Sequence, residues 1–234
     1  MEFLTLPGAC ATVLPSRHIT SLVDPMAEIL KLESSALDYV LEYTVRLIVR
    51  GKVVAIPTDT FYGLGADPFN LAAVSEIFRI KRRTADRPLP LLVDSVERAA
   101  ELADHPPDLF FTLARKFWPG ALTLVVPASR QIPLKVTANT GKVGFRWPLA
   151  PFVTSLIAQV GRPLTGTSAN ISDMESCSTA DEVDCQIGDV VPLILDGGLT
   201  RSGLASTVVE ISDDKARILR PGAVPESELK EYLG

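Results

Sequence analysis

Apolar positions recur along the chain at two spacings, and the changes from one to the other outline its elements. Leu37, Val40, Leu41, Val45 and Ile48 repeat at helical intervals, with Ser34 or Ser35 as a cap and Gly51 just past the end, so a helix is predicted through about Arg50. Lys52 to Ile56 is a short β-branched run between Gly51 and Pro57, the pattern of a buried strand. Asn70 then caps a second helix whose apolar face is Leu71, Val74, Ile77, Phe78 and Ile80, and residues up to Val93 return as a strand. Ser95 opens a short helix to Leu102, and residues 107 to 117 form another, ended by Trp118-Pro119-Gly120. Strands are predicted at Leu122 to Val126, Val143 to Trp147 and Pro163 to Thr167, with a helix from Pro151 to about Val160. Asp181 to Gln186 reads as a short helix, followed by strands near 191 to 195, 206 to 211 and 216 to 220 and a terminal helix from about 226. Strands interleaved with helices give an α/β fold, and short links such as Ser212 to Lys215 favour antiparallel pairs in a mixed sheet. Residues 128 to 142 have no clear period and read as a long polar loop able to close over a ligand. Residues 1 to 33 hold three prolines and no sustained period, and are expected to be a loosely ordered N-terminal extension of a domain at 34–234.

The chemistry concentrates between residues 52 and 93. Thr58, Asp59, Thr60 and Tyr62 place hydroxyls and one carboxylate beside Gly63 and Gly65, where backbone can approach a ligand closely. The following helix ends in Arg79, Lys81, Arg82, Arg83 and Arg87, five cations within nine residues against Asp86 alone. A solvated helix end would explain them, since cations complement the dipole there. A strand, loop and helix in succession, however, return these cations toward the strand's end, where open α/β sheets bind ligands. Arg146 falls within a strand amid apolar neighbours, where a lone cation is costly, so its anionic partner is expected to be a bound group.

Composition narrows the options. The 234 residues are 47% hydrophobic and 22% charged, enough for one sizeable core. A net charge of −5 disfavours a broad polyanion-binding surface while leaving room for a local basic site. Three scattered cysteines make no disulfide framework and, with only two histidines, no zinc site of standard spacing. No apolar run reaches the length of a membrane span, and acids in the first 33 residues argue against a secretory or transit segment, so a cytoplasmic location is expected. Neither G-x-x-x-x-G-K-[ST] nor G-x-G-x-x-G occurs, so any nucleotide must be held by other groups. Lys and Arg suit that role, the first as a compact charge and the second as a fork for phosphate oxygens. Gly166-Thr167-Ser168-Ala169-Asn170 lacks the closing glycine of a nucleophile elbow, which disfavours a serine hydrolase.

Seven ordered blocks carry a resemblance. PTDTFYGLG, the Lys-x-Arg of Lys81 and Arg83, WPGALT at 118 to 123, GFRWP at 144 to 148, TSAN at 167 to 170, STVV at 206 to 209 and ILRPG at 218 to 222 resemble the YrdC/Sua5 family of threonylcarbamoyl-AMP synthases, over about residues 35 to 234. The resemblance implies a YrdC/RibB-like architecture, a twisted mixed sheet flanked by helices around a concave, positively charged cavity. It implies the joining of L-threonine, bicarbonate and ATP into threonylcarbamoyl-adenylate and pyrophosphate, with Mg²⁺, as the first step of threonylcarbamoyladenosine formation at position 37 of ANN-decoding tRNAs. The product would pass to a tRNA threonylcarbamoyl transferase. By the same resemblance Lys81, Arg83, Arg87, Ser168, Asn170 and Arg220 would bind ATP, with Lys81 and Arg83 also catalytic, while Thr60, Arg146 and Ser206 would bind threonine and no protein metal site is expected. Positioning and charge neutralisation would supply most of the catalysis.

Two residues depart from the family pattern. Arg82 stands where many relatives have Gly, and Leu92 where the longer Sua5-type members have a His near the threonine. The chain stops after the catalytic domain, so the additional C-terminal domain of those members is not expected. A non-catalytic double-stranded-RNA or nucleotide-binding module is the competing reading. It calls for a broad basic surface, whereas this chain is acidic with its cations gathered near one motif, so tight tRNA binding is not expected.

Overall fold

The structure is a computed structural model and describes residues 27–233. Most of the predicted N-terminal extension lies outside the described residues. Its last part does not: β1 (Glu28–Lys31) pairs in parallel with a late strand, Glu28 opposite Leu193 through Lys31 opposite Asp196. Its mostly exposed residues leave no alternation for a sequence reading to find. The helix α1 (Leu37–Val49) follows, but Ala36 is its N-cap and neither serine caps it. The next elements are β2 (Val54–Ile56), β3 (Gly63–Gly65), α2 (Leu71–Ile80), β4 (Leu91–Leu92), α3 (Val96–Leu102), α4 (Asp108–Phe117) and β5 (Leu122–Pro127). After them come α5 (Leu134–Thr137), β6 (Lys142–Arg146), α6 (Pro151–Val160), β7 (Leu164–Thr165), β8 (Thr167–Ser168) and α7 (Ala180–Ile187). The chain ends with β9 (Leu193–Asp196), β10 (Thr207–Ser212), β11 (Lys215–Arg220) and the single turn α8 (Glu226–Leu229).

Caps set several of these boundaries. The Asn70 side chain accepts from the backbone N–H groups of Ala72 and Ala73, and Ser95 accepts from that of Arg98, each satisfying donors a helix start leaves free. The predicted polar loop at 128–142 contains the one-turn helix α5, too short to register as a period. The predicted glycine loop after β2 contains β3, which pairs antiparallel with β2.

Two mixed sheets result, one ordered β1-β9-β2-β3-β8 and the other β11-β10-β5-β6-β4-β7. Ser212 to Lys215 joins β10 and β11 as an antiparallel pair, whereas β10 runs parallel to β5. The segment predicted as one strand at 163–167 is two: β7 belongs to the second sheet, β8 to the first, and the chain changes sheets at Gly166. A Cβ at Gly166 would lie 2.6 Å from Leu92 Cδ2, so only glycine lets β7 and β8 run this close to β4.

Hydrophobic burial lies in two clusters. One gathers Val40 and Ile48 of α1 and Val153, Leu156 and Ile157 of α6 against Val54, Ile56, Leu164, Leu193 and Leu195. The larger packs α2, α3, α4 and α7 on the sheets through residues such as Ile77, Phe110, Leu113, Phe145 and Val183. Trp118 is 7% exposed and donates its indole N–H to Leu122 O. Residues of β3 and β8 from the first sheet and of β5, β6 and β10 from the second line one cavity.

Candidate active site

The cavity is about 610 Å³, within the usual range for small-molecule sites. All nine side chains singled out in the sequence line it: Thr60, Lys81, Arg83, Arg87, Arg146, Ser168, Asn170, Ser206 and Arg220. Its six cationic side chains, those of Lys81, Arg83, Arg87, Lys142, Arg146 and Arg220, face two carboxylates, Asp173 and Glu210. In a chain of net charge −5, the cavity therefore concentrates positive potential.

The basic end is shaped by how α2 stops. Arg82 adopts φ 50° just after the Lys81 cap; its N–H donates to Arg79 O, and the Arg83 N–H donates to Phe78 O. That pair of bonds is a Schellman motif, with arginine in the left-handed position where glycine is usual. The hook turns Lys81 and Arg83 into the cavity, and Arg82 is exposed outside it. Residues two apart on a continuing helix could not converge in this way.

Lys81 is 2% exposed. Its Nζ donates to Ser168 O at 2.5 Å, Asn170 O at 2.8 Å and Asn170 Oδ1 at 3.0 Å. Ser168 Oγ also donates to Asn170 Oδ1, while Asn170 Nδ2 donates to Met174 O. Burial, with the Arg83 charge beside it, lowers the Lys81 pKa to about 7. Arg83 lies over the Phe78 ring, 5.3 Å from its centroid, and burial followed by Arg87 lowers its pKa too. Arg87 Nη1 stands 3.6 Å from Asp173 Oδ1 across the cavity mouth.

The opposite end centres on Arg146, whose side chain is 7% exposed. Its Nε donates to Gly120 O at 2.9 Å, Nη1 to Thr60 Oγ1 at 2.8 Å and Nη2 to Asp59 Oδ1 at 2.6 Å. The expectation that its anionic partner is a bound group is therefore corrected: Asp59 supplies the charge from within the protein, next to Thr60 in the β2–β3 turn. Burial lowers the Arg146 pKa against the upward pull of Asp59. One N–H on each terminal nitrogen remains for a carboxylate to accept. Thr58 Oγ1 lies 3.1 Å from Thr60 Oγ1 and donates to Phe61 O, so Thr60 keeps a fixed place. Ser206 Oγ is 2.8 Å from Thr123 Oγ1, and Arg220 Nη2 donates to Ser206 O at 2.8 Å. The Leu92 side chain lines the wall beside Arg146, which makes that wall apolar.

The Sua5/YciO/YrdC family model, described as "Telomere recombination", matches residues 46–222. The chain belongs to this family. Over 197 residues it is 39% identical to the threonylcarbamoyl-AMP synthase of Pyrococcus abyssi, covering 82% of this chain and 58% of that protein. Over 203 residues it is 35% identical to the Bacillus subtilis threonylcarbamoyl-AMP synthase, covering 86% and 59%. The chain thus spans about three fifths of these two relatives' length. Its fold matches the crystal structure of P. abyssi Sua5 complexed with L-threonine at a TM-score of 0.85 and 36% identity, over 89% of this chain and 61% of that one.

Sequence reasoning missed several pairings of the site. Asp59 and Thr123 fall within the quoted motifs, but they meet Arg146 and Ser206 across 87 and 83 residues of chain, so these pairings leave no local signal. The apposition of Asp173 to Arg87 was equally invisible.

Proposed function

We propose that this chain is an L-threonylcarbamoyladenylate synthase, a nucleotidyltransferase joining L-threonine, bicarbonate and ATP with release of pyrophosphate. One observation carries the reading: the motif side chains from seven separate blocks converge on one cavity, with a cation cluster at one end and an oriented buried guanidinium at the other. The L-threonine-bound relative and the synthases of similar sequence support it.

In this reading Arg146 receives the threonine carboxylate on its two remaining N–H groups, and Thr60 and Ser206 offer hydroxyls to the rest of the amino acid. The threonine amine takes up bicarbonate with loss of water, and the carbamate oxygen attacks the α-phosphorus of ATP. The bond to the bridging oxygen breaks and its electrons leave with pyrophosphate. Lys81, Arg83, Arg87 and Arg220 neutralise the phosphate charge, while Ser168 and Asn170 orient it. No group need form a covalent intermediate.

The lining does not fit a resident Mg²⁺. Its two carboxylates are already engaged, Asp173 facing Arg87 and Glu210 held at 2.6 Å by both Lys142 and Arg217. Magnesium enters here as part of the substrate, on the nucleotide's phosphates. Product handover to a tRNA threonylcarbamoyl transferase completes the proposal. Among the described residues no helix is long and apolar enough to cross a membrane.

Pyrophosphate release with ATP, bicarbonate and each amino acid in turn tests this function. L-threonine, or a near relative such as serine, should support turnover, because an apolar side chain would leave the hydroxyl contacts unpaired. Equal turnover with valine would overturn it.

A further inference from the structure

Among the described residues, five buried side-chain polar atoms have no hydrogen-bond partner: Arg83 Nε, Arg83 Nη2, Ser129 Oγ, Ser172 Oγ and Thr200 Oγ1. Three of them belong to the two residues of that set which line the cavity, Arg83 and Ser172. An orphaned buried donor is costly, so such groups gathered in one cavity point to a ligand that satisfies them.

The neighbouring cations sharpen the inference. Lys81 spends its three N–H groups on oxygens of Ser168 and Asn170, and Arg87 faces Asp173. Arg82 points outside. Arg83 therefore retains unpartnered buried N–H groups at the cavity wall, and Ser172 is the hydroxyl in the same condition. Ser172 is also rigidly placed. Its backbone N–H donates to Lys81 O at 3.0 Å, which ties the loop after β8 to the end of α2, and the preceding Ile171 N–H donates to the α7 side chain of Gln186. Two elements distant in sequence thus deliver their unpartnered donors to the same basic end.

We propose that Ser172 is a phosphate-binding residue that, with Arg83, grips the diphosphate end of the nucleotide, the part that leaves as pyrophosphate. This rests on the ATP-dependent function proposed above and adds a residue to it. The diphosphate end carries most of the nucleotide's charge, and Ser172 lies at the basic end: its N–H bonds Lys81 O, and Asp173, the next residue, faces Arg87. A serine hydroxyl donates one hydrogen bond to a phosphate oxygen at no cost in charge, and a fixed backbone spares the entropy of ordering it on binding.

Calorimetric titration with inorganic pyrophosphate tests the proposal on the whole chain, using wild type, Ser172→Ala and Arg83→Ala, with L-threonine titrated into each as a control for an intact cavity. Loss of a hydrogen bond to a charged group should weaken pyrophosphate binding by Ser172→Ala about ten- to hundredfold while L-threonine affinity stays at the wild-type value. Ser172→Ala binding pyrophosphate as wild type does, while Arg83→Ala loses it, would overturn the role of Ser172 and leave the function standing. Loss of L-threonine affinity in Ser172→Ala would show a structural role and overturn it too. Failure of wild type to bind pyrophosphate or ATP would bring down the function itself.

Discussion

Replacing Arg82 with glycine should stabilise this protein and leave its nucleotide site untouched. Arg82 closes α2 at φ 50°, a conformation that costs an L-residue with a Cβ roughly 1 to 2 kcal/mol. Glycine removes that strain but loses more backbone entropy on folding, about 0.5 to 1 kcal/mol. The balance is a gain of about 1 kcal/mol, which in a chain of this size raises the melting temperature by about 2 to 4 °C. Because the Arg82 side chain is exposed outside the cavity, ATP affinity in Arg82→Gly and Arg82→Ala should match wild type. Differential scanning calorimetry with and without ATP measures both quantities. A lower melting temperature in Arg82→Gly, or loss of ATP binding in either variant, would refute the account of this hook and of which cations face the ligand.

Four other outcomes are expected. Arg83→Ala should lose a charge-assisted contact worth about 1.5 to 3 kcal/mol, a roughly ten- to hundredfold fall in ATP affinity or rate, and Lys81→Ala, which removes the buried charge that holds Ser168 and Asn170, should also lower ATP affinity; if both match Arg82→Ala, the cluster is only a solvated helix end. The depressed Lys81 pKa, about 7, means that the unfolded chain binds one more proton than the fold from there up to the ordinary lysine range, so stability rises with pH across that window and the buried ammonium costs the fold below it. If ATP requires Lys81 charged, binding at about pH 8 should take up close to one proton, read by calorimetry in buffers of different ionisation enthalpy, and no uptake would contradict this. The net charge of −5 opposes a broad phosphate footprint, so a salt-sensitive submicromolar complex of the isolated chain with tRNA would contradict the reading of a local anion site.

The long elements were legible because their apolar residues repeat at one spacing. The faces of α1, α2 and α6 and the caps at Asn70 and Ser95 follow from that pattern and from short polar side chains. Short elements were not. The strand β3 is Gly-Leu-Gly and signals a loop by composition, yet pairing with β2 and β8 makes it a strand. One apparent strand divides at Gly166 because its halves pair with β4 and β3, and the Gly166 contact with Leu92, 74 residues earlier in sequence, is likewise encoded by no local pattern. In the site, side chains carrying charge or hydroxyls in recognisable blocks stood out, whereas Asp59 and Ser172 depend on which groups already have partners. That property exists only once the chain is folded.

In the proposed reaction this cavity builds a mixed anhydride from bicarbonate, threonine and ATP. Mass spectrometry of reactions run with ¹³C-bicarbonate, L-threonine and ATP tests it most directly. The account requires threonylcarbamoyl-adenylate carrying the label, formed together with pyrophosphate and absent when any one substrate is omitted. An adenylate without the label, or none while ATP and threonine are both bound, would contradict it.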